Sequence, residues 1–302
     1  MINVLKEFFH KFDMSLEISE GDDGGFDLEL SPPTKIRDIE RLMDDLSLAV
    51  GAEFIDLKRQ GKVLHLKPYF SMKDIFPLQD YKNEINKSSP EICLGLNTKE
   101  YITYNPTKDY HMLIAGCSGF GKSTLIKSII EQFLWKDNVD VDVIDPKYVD
   151  FKEINNRANK NFSLYNNIVD IMTILKYHNK RIDRIFSSGE VPENPTVLIV
   201  DEFADLMTSE HSKVLMADLL RIVQKSRAAN MFCILATQRP SAKIIGGTIK
   251  ASVQTRVALK TTSKLDSRII LDTTGAEKIT SKGECIILSQ NYNLKRFKSF
   301  TV

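Results

Sequence analysis

The 302-residue chain has few cysteines, a single tryptophan, almost no net charge and no long apolar run. Each shortage narrows the field. The four cysteines, Cys93, Cys117, Cys233 and Cys285, are far apart and show no C-x-x-C spacing. Neither a zinc site nor a disulfide framework is indicated, and reduced thiols are expected. No stretch approaches the roughly 18 consecutive apolar residues of a membrane span. The N-terminal MINVLKEFFHKFDM lacks an uninterrupted apolar core and a small-residue cleavage site. The chain as given is therefore expected neither to span a membrane nor to be exported, and to work in the cytoplasm, recruited to the membrane only by a partner. A formal charge of +1 does not advertise a nucleic-acid partner, although a local basic surface in an assembly is not excluded by it. There is no internal repeat and no low-complexity tract. What remains, 42% hydrophobic and 27% charged residues, suits one large or two modest globular domains.

The stretch that organises the chain is Gly116–Ser123, GCSGFGKS, which fits G-x-x-x-x-G-K-[ST] at every fixed position. A strand-like run, HMLIA, precedes it and a helix-like run, Thr124–Trp135, follows it, the order a phosphate loop needs. Gly116, Gly119 and Gly121 let successive N–H groups turn inward around a phosphate at a helix N-terminus. The expected nucleotide contacts are Gly116, Cys117, Ser118, Gly119, Phe120, Gly121, Lys122, Ser123 and Thr124. Lys122 would reach the β and γ phosphates of ATP, and the Ser123 hydroxyl would hold Mg²⁺.

Before the loop, Met1 to about Asp13 reads as a helix with Val4, Leu5, Phe8, Phe9 and Phe12 on one side. Glu20–Gly25 reads as a hairpin or loop, and Phe26, Leu28 and Leu30 alternate as a half-buried strand. From Thr34, a plausible N-cap, to Gly51, a plausible stop, one helix is expected, with Ile36, Ile39, Leu42, Met43, Leu46 and Val50 on one face. Strands Glu53–Leu57 and Lys62–Leu66 follow, joined by a turn at Arg59–Gly61. This gives a small α+β domain over 1–70. A Pro-punctuated connector, 71–91, leads to a hairpin at Ile92–Tyr104 and a domain over 92–302.

After the loop, strand Val139–Ile144 ends at Asp145, Pro146 and Lys147, and a long helix spans about Asn167–Ser187. The strand TVLIV, Thr196–Val200, then runs into Asp201 and Glu202. An apolar run closing on an acidic pair is what a central parallel strand delivers to the catalytic edge of a phosphate-loop sheet. Asp201 would bind Mg²⁺ through water and Glu202 would polarise the attacking water. A helix over Glu210–Ala229 and strands Met231–Thr237, Arg256–Lys260 and Glu284–Leu288 complete the pattern. The alternation predicts an α/β fold, a RecA-like P-loop NTPase core with a parallel central sheet, preceded by the small α+β domain.

HMLIAGCSGFGKS, the DPK at Asp145–Lys147, VLIVDEFADLM, QKSRAANMFCILATQRPS and KASVQTRVALKTTSKLDSRIILDTTGAEKI resemble, in order and spacing, the motor domain of FtsK/SpoIIIE-type DNA translocases, relatives of conjugative coupling ATPases. The match covers about Ile92–Ser289, and more weakly FDLELSPPTKIRDIERLMDDLSLAVG resembles the family's small α domain. The resemblance implies an ATPase ring, a homo-hexamer, with ATP between subunits and double-stranded DNA in the lumen. It also allows for a recruiting replication or conjugation protein. It matches Arg227, in KSRAAN, to an arginine offered to the neighbour's γ phosphate, and Gln238, in ATQRPS, to a polar sensor. The loop Arg239–Gly247, with Arg239, Lys243 and Lys250 beyond it, corresponds to a pore-facing DNA segment. An ordinary solvated loop is the other reading of that stretch.

Three departures stand out. Phe120 sits where the family usually has a small residue. It bears only on packing over the base or β phosphate. The multi-span membrane region of many relatives and the C-terminal winged-helix module that gives some of them direction are not in this sequence. Without a means of reading an orienting DNA site, the expectation is a translocase serving a plasmid, phage or integrative element, in transfer, replication or packaging, rather than chromosome segregation. A single-strand motor or helicase shares the same core. A nucleotide-dependent adaptor or assembly ATPase is the competing class, against which Glu202 argues, since binding alone needs no water-activating carboxylate. A soluble fragment of a longer membrane protein is a third reading. His111, just before a buried strand, reads as structural.

Overall fold

The computed structural model describes residues 1–21, 25–52, 54–69, 76–97, 100–155 and 161–302. It divides into two compact units, Met1–Lys73 and Asp74–Val302.

In the first unit, β1 (Leu16–Glu20), β2 (Phe26–Leu30), β3 (Phe54–Gln60) and β4 (Val63–Tyr69) form an antiparallel sheet in the order β1-β2-β4-β3. Alternation puts Ile18, Phe26, Leu28, Leu64 and Leu66 on one face. That face is covered by Leu5, Phe8 and Phe9 of the Ile2–Lys11 helix and by Ile39 and Leu46. Val4 and Phe12, expected on the packed side, are exposed. The expected single helix is two, Ile36–Arg41 and Met43–Val50, and Thr34 does not cap it. The Thr34 hydroxyl accepts the Ser15 N–H at 2.7 Å instead, tying the segment to β1, and Lys35 takes the cap position. Gly51 ends the second helix at φ 71°, as its position suggested. The turn between β3 and β4 lies at Gly61 and Lys62, later than expected, because Gln60 pairs with Val63. Residues 22–24 of the expected Glu20–Gly25 turn and the start of the 71–91 connector lie outside the described residues.

In the second unit, the strands are β5 (Ile92–Leu96), β6 (Tyr101–Tyr104), β7 (Met112–Ala115), β8 (Asp140–Ile144), β9 (Phe162–Tyr165), β10 (Thr196–Val200), β11 (Met231–Thr237), β12 (Thr255–Ala258), β13 (Glu284–Leu288) and β14 (Lys295–Ser299). They make one sheet in the order β6-β5-β14-β13-β12-β7-β11-β10-β8-β9. From β12 to β9 every pairing is parallel. From β12 outward to β6 every pairing is antiparallel. The sheet is therefore the expected parallel core widened by an antiparallel flank, and β9 and β14 are strands that the apolar pattern did not single out.

Both faces of the core are covered, which is why its strands read as continuous apolar runs. Met112 and Ile114 face the Lys122–Leu134 helix through Ile126, Ile129, Ile130 and Phe133. Leu113, Leu198 and Val200 face the opposite layer, where the helices Ile168–Ser188 and Ser212–Lys225 contribute Ile171, Leu175, Leu219 and Ile222. Among the described residues no helix is long and apolar enough to cross a membrane.

Candidate active site

β7 lies between β11 and β12, and β8, the next strand in the chain, is three places away, beyond β11 and β10. Such a switch in strand order opens a crevice at the carboxyl ends of parallel strands. Gly116–Ser123 emerges there. The Gly116 N–H donates to the Thr237 carbonyl at 3.3 Å and the Cys117 N–H to the Lys260 carbonyl at 2.7 Å, so the loop is anchored to the ends of both flanking strands. A Cβ on Gly116 would stand 2.8 Å from that of Leu259. Gly119 and Gly121 have φ of 82° and 100°, which turn the backbone into a cradle leading into the Lys122–Leu134 helix. Phe120 is half-buried, and its carbonyl accepts the Gly283 N–H at 2.9 Å.

The cradle opens on a cavity of about 520 Å³ lined by Cys117, Ser118, Gly119, Gly121, Lys122, Ser123, Thr124, Asp150 and Gln238. The far wall is Lys282, Gly283 and Lys298–Thr301. Sequence reasoning passed over that wall, because nothing in KRFKSFT marks phosphate or base binding.

Lys122 is buried and forms an ion pair with Asp201. The Ser123 hydroxyl donates to Asp150 at 2.7 Å. Asp145, 1% exposed at the end of β8, receives the Lys147 N–H on Oδ1, while its Oδ2 has no hydrogen-bond partner. Burial, and then the charge of Asp201, push its carboxyl above the usual range. Asp201 thus meets the lysine of the loop and Asp150 its serine, and Asp145 lies within electrostatic reach of both carboxylates.

Glu202 is the most constrained of the expected catalytic residues. It is buried, with φ 51° and ψ 55°, a conformation uncommon outside glycine. Its Oε1 accepts the Thr237 hydroxyl at 2.7 Å and its Oε2 the Gln238 N–H at 2.9 Å. The same Thr237 oxygen accepts the Arg239 N–H at 3.0 Å. Thr237 therefore joins Glu202 to the first residues of the Arg239–Gly247 segment. That segment turns at Ser241–Ile245, buries Ile245, and passes into a short helix beginning at Gly247. Arg239 lies 3.7 Å and Lys147 3.6 Å from the Asp205 carboxylate. Lys243 is exposed, whereas the Lys250 amine pairs with Asp272 at 2.6 Å.

Arg227 is not at this site. It sits on the turn Ser226–Ala229 that feeds the amino end of β11, whereas the cradle follows the carboxyl end of β7, parallel to β11. The arginine and the cradle occupy opposite edges of the sheet.

Residues 112–249 match the model of the ATPase family associated with various cellular activities (AAA). A DNA translocase FtsK of Corynebacterium glutamicum is 29% identical over 334 residues, covering 96% of this chain and 36% of the relative. Another, from Streptococcus agalactiae, is 30% identical over 345 residues, covering 99% and 42%. The chain thus spans about two fifths of the length of these relatives. Among solved structures, the conjugation coupling protein TcpA of pCW3 superposes with a TM-score of 0.73 at 19% identity, covering 97% of this chain and 92% of that one. The cytoplasmic domain of the Thermomonospora curvata type VII secretion ATPase EccC does so at 0.63 and 18%, covering 72% and 29%. These superpositions establish the shared fold.

Proposed function

The chain belongs to the FtsK/SpoIIIE family of P-loop ATPases, and from that premise we propose that it hydrolyses ATP to move double-stranded DNA of a plasmid, phage or integrative element through a ring of identical subunits. The observation that carries the reading is the shared network of Glu202, Thr237, Gln238 and Arg239. It joins the carboxylate that hydrolysis needs to the segment the family resemblance assigns to DNA.

The residues fit a magnesium nucleotide. A Cβ on Gly119 would meet nothing within 4 Å, the buried Asp145 Oδ2 lacks a hydrogen-bond partner, and the Ser123 hydroxyl donates to Asp150. Ser123 and Asp201 would hold the metal, and bound Mg²⁺ would supply positive charge against the phosphates during transfer. Lys122 would exchange Asp201 for phosphate oxygens, so that a buried ammonium is never left unpaired. Glu202 would take a proton from the attacking water, giving up its contact with Thr237 or Gln238 to do so. Either change alters the start of the Arg239 segment, which is how a chemical step would reach DNA. Arg239 and Lys243 would contact backbone phosphates, giving affinity without sequence readout. Arg227, on the far edge of the sheet, would serve the site of the adjoining subunit.

The test is ATP hydrolysis with and without long linear duplex DNA, over a range of protein concentration, on the wild type and Arg227→Ala. The expected result is a rate raised many-fold by duplex, cooperative in protein, and lost in Arg227→Ala while ATP still binds. A rate indifferent to DNA and to concentration would remove the translocase reading and leave the adaptor one.

A further inference from the structure

Arg227 is exposed on a short turn, where a long side chain has many rotamers to lose before it can act at a fixed place. Its guanidinium carbon nevertheless lies 3.3 Å from the centroid of the Tyr110 ring. That stack uses the plane of the guanidinium and leaves its edge N–H groups directed away from the ring.

Tyr110 is itself held firmly. Its ring stacks on Phe232 at the start of β11, with centroids 6.5 Å apart and planes 29° apart. Its backbone has φ 59° and ψ −130°, an unfavourable conformation for a tyrosine. Two hydrogen bonds keep it there: the Tyr110 N–H donates to the Pro106 carbonyl at 3.1 Å, and the buried Tyr104 hydroxyl donates to the Tyr110 carbonyl. The short helix Pro106–Asp109 that delivers the residue is capped by Asn105, which accepts the Thr107 N–H at 3.0 Å. This backbone carries the ring to the one face on which Arg227 lies.

We propose that Tyr110 is a positioning residue for Arg227, a fixed aromatic platform that pre-orders the guanidinium for the phosphoryl group held by the adjoining subunit. The proposal rests on the reading of Arg227 as an arginine acting between subunits. Pre-ordering lowers the entropy lost on reaching the transition state, so its removal lowers kcat and leaves KM for ATP unchanged. The platform works through its ring face, so the phenolic hydroxyl is dispensable.

The experiment compares duplex-stimulated ATP hydrolysis by the full chain for the wild type, Tyr110→Phe, Tyr110→Leu, Tyr110→Ala and Arg227→Ala, and for Tyr110→Ala combined with Arg227→Ala. Leucine keeps apolar bulk against Phe232 without a ring, which separates loss of stacking from loss of packing. Expected are wild-type kinetics for Tyr110→Phe and a fall of about 2- to 30-fold in kcat for Tyr110→Leu and Tyr110→Ala, the range a cation–π contact supports. KM should stay within about twofold. The double variant should be no slower than Arg227→Ala alone. The platform is overturned if Tyr110→Leu and Tyr110→Ala keep the full kcat or raise it, if Tyr110→Phe is as slow as they are, or if the double variant shows a further drop. A wild-type rate in Arg227→Ala would instead overturn the intersubunit role of the arginine, a separate result.

Discussion

His111 ties the start of β7 to β11, its Nδ1 accepting the Cys233 N–H at 2.9 Å. A ring nitrogen accepts only while unprotonated, so the bond requires the neutral imidazole. Burial, opposed by the Val223 backbone and helped by the nearby charge of Arg227, lowers its pKa from 6.5 to about 4. Between those values the unfolded chain binds a proton that the folded chain refuses, so stability rises with pH across that window and is lost as pH falls from 6.5 toward 4. The full effect is about 3 kcal/mol. Urea unfolding of the wild type and of His111→Gln, followed from pH 7 to pH 4, should show the steeper loss in the wild type. Equal slopes would mean that His111 is protonated in the fold. At this scale the sequence was legible where chemistry is contiguous. GCSGFGKS follows β7 directly and the Asp201–Glu202 pair follows β10. Asp150 and Thr237 were not foreseen as partners, because one lies in the loop after β8, far from Ser123 in sequence, and the other ends the strand beside β10.

Elements far apart in sequence build the remaining wall of the cavity, and one glycine controls their approach. Gly95 in β5 pairs with Ser299 in β14, and a Cβ there would stand 2.0 Å from the Lys298 carbonyl oxygen. No side-chain rotation relieves a clash with backbone. Gly95→Ala should push β14 away from β5 and displace Lys298–Thr301, which line the cavity although none belongs to the phosphate loop. The expected outcome is weaker binding of a fluorescent ATP analogue with the phosphate loop intact. Unchanged affinity would show that the β14 wall takes no part in nucleotide binding. The antiparallel flank escaped sequence reading for the same physical reason. β14, KRFKS, is charged at three of its five positions, and its Lys298 and Arg296 side chains are buried against partners that only the folded sheet supplies: the Lys298 amine donates to the Lys282 carbonyl at 2.6 Å, and Arg296 pairs with the buried Glu284. The apolar runs of β7, β10 and β11, covered on both faces, announce themselves; a strand whose lysine and arginine are satisfied by its neighbours does not.

In the proposed ring, the separation of Arg227 from the cradle would divide each site between two subunits. If every site needs Glu202 from one subunit and Arg227 from the next, a variant lacking one can be complemented by a variant lacking the other. Glu202→Gln and Arg227→Ala should each be inactive alone. In an equimolar mixture that has exchanged subunits, a site is complete when an Arg227→Ala subunit holds the nucleotide and a Glu202→Gln subunit supplies the arginine. Random assembly gives about a quarter of interfaces that arrangement, so duplex-stimulated hydrolysis should recover toward that fraction of the wild-type rate. The measurement is the ATPase rate of the mixture against each variant alone, at concentrations where the wild type is cooperative. No recovery, with subunit exchange verified by mixing labelled chains, would mean that firing requires every interface to be intact or that Arg227 acts elsewhere. Tyr110→Ala in the Glu202→Gln subunit distinguishes these outcomes from the platform: it should cut the recovered rate, whereas the same change in the Arg227→Ala subunit should leave it alone, since that subunit's own arginine is already gone.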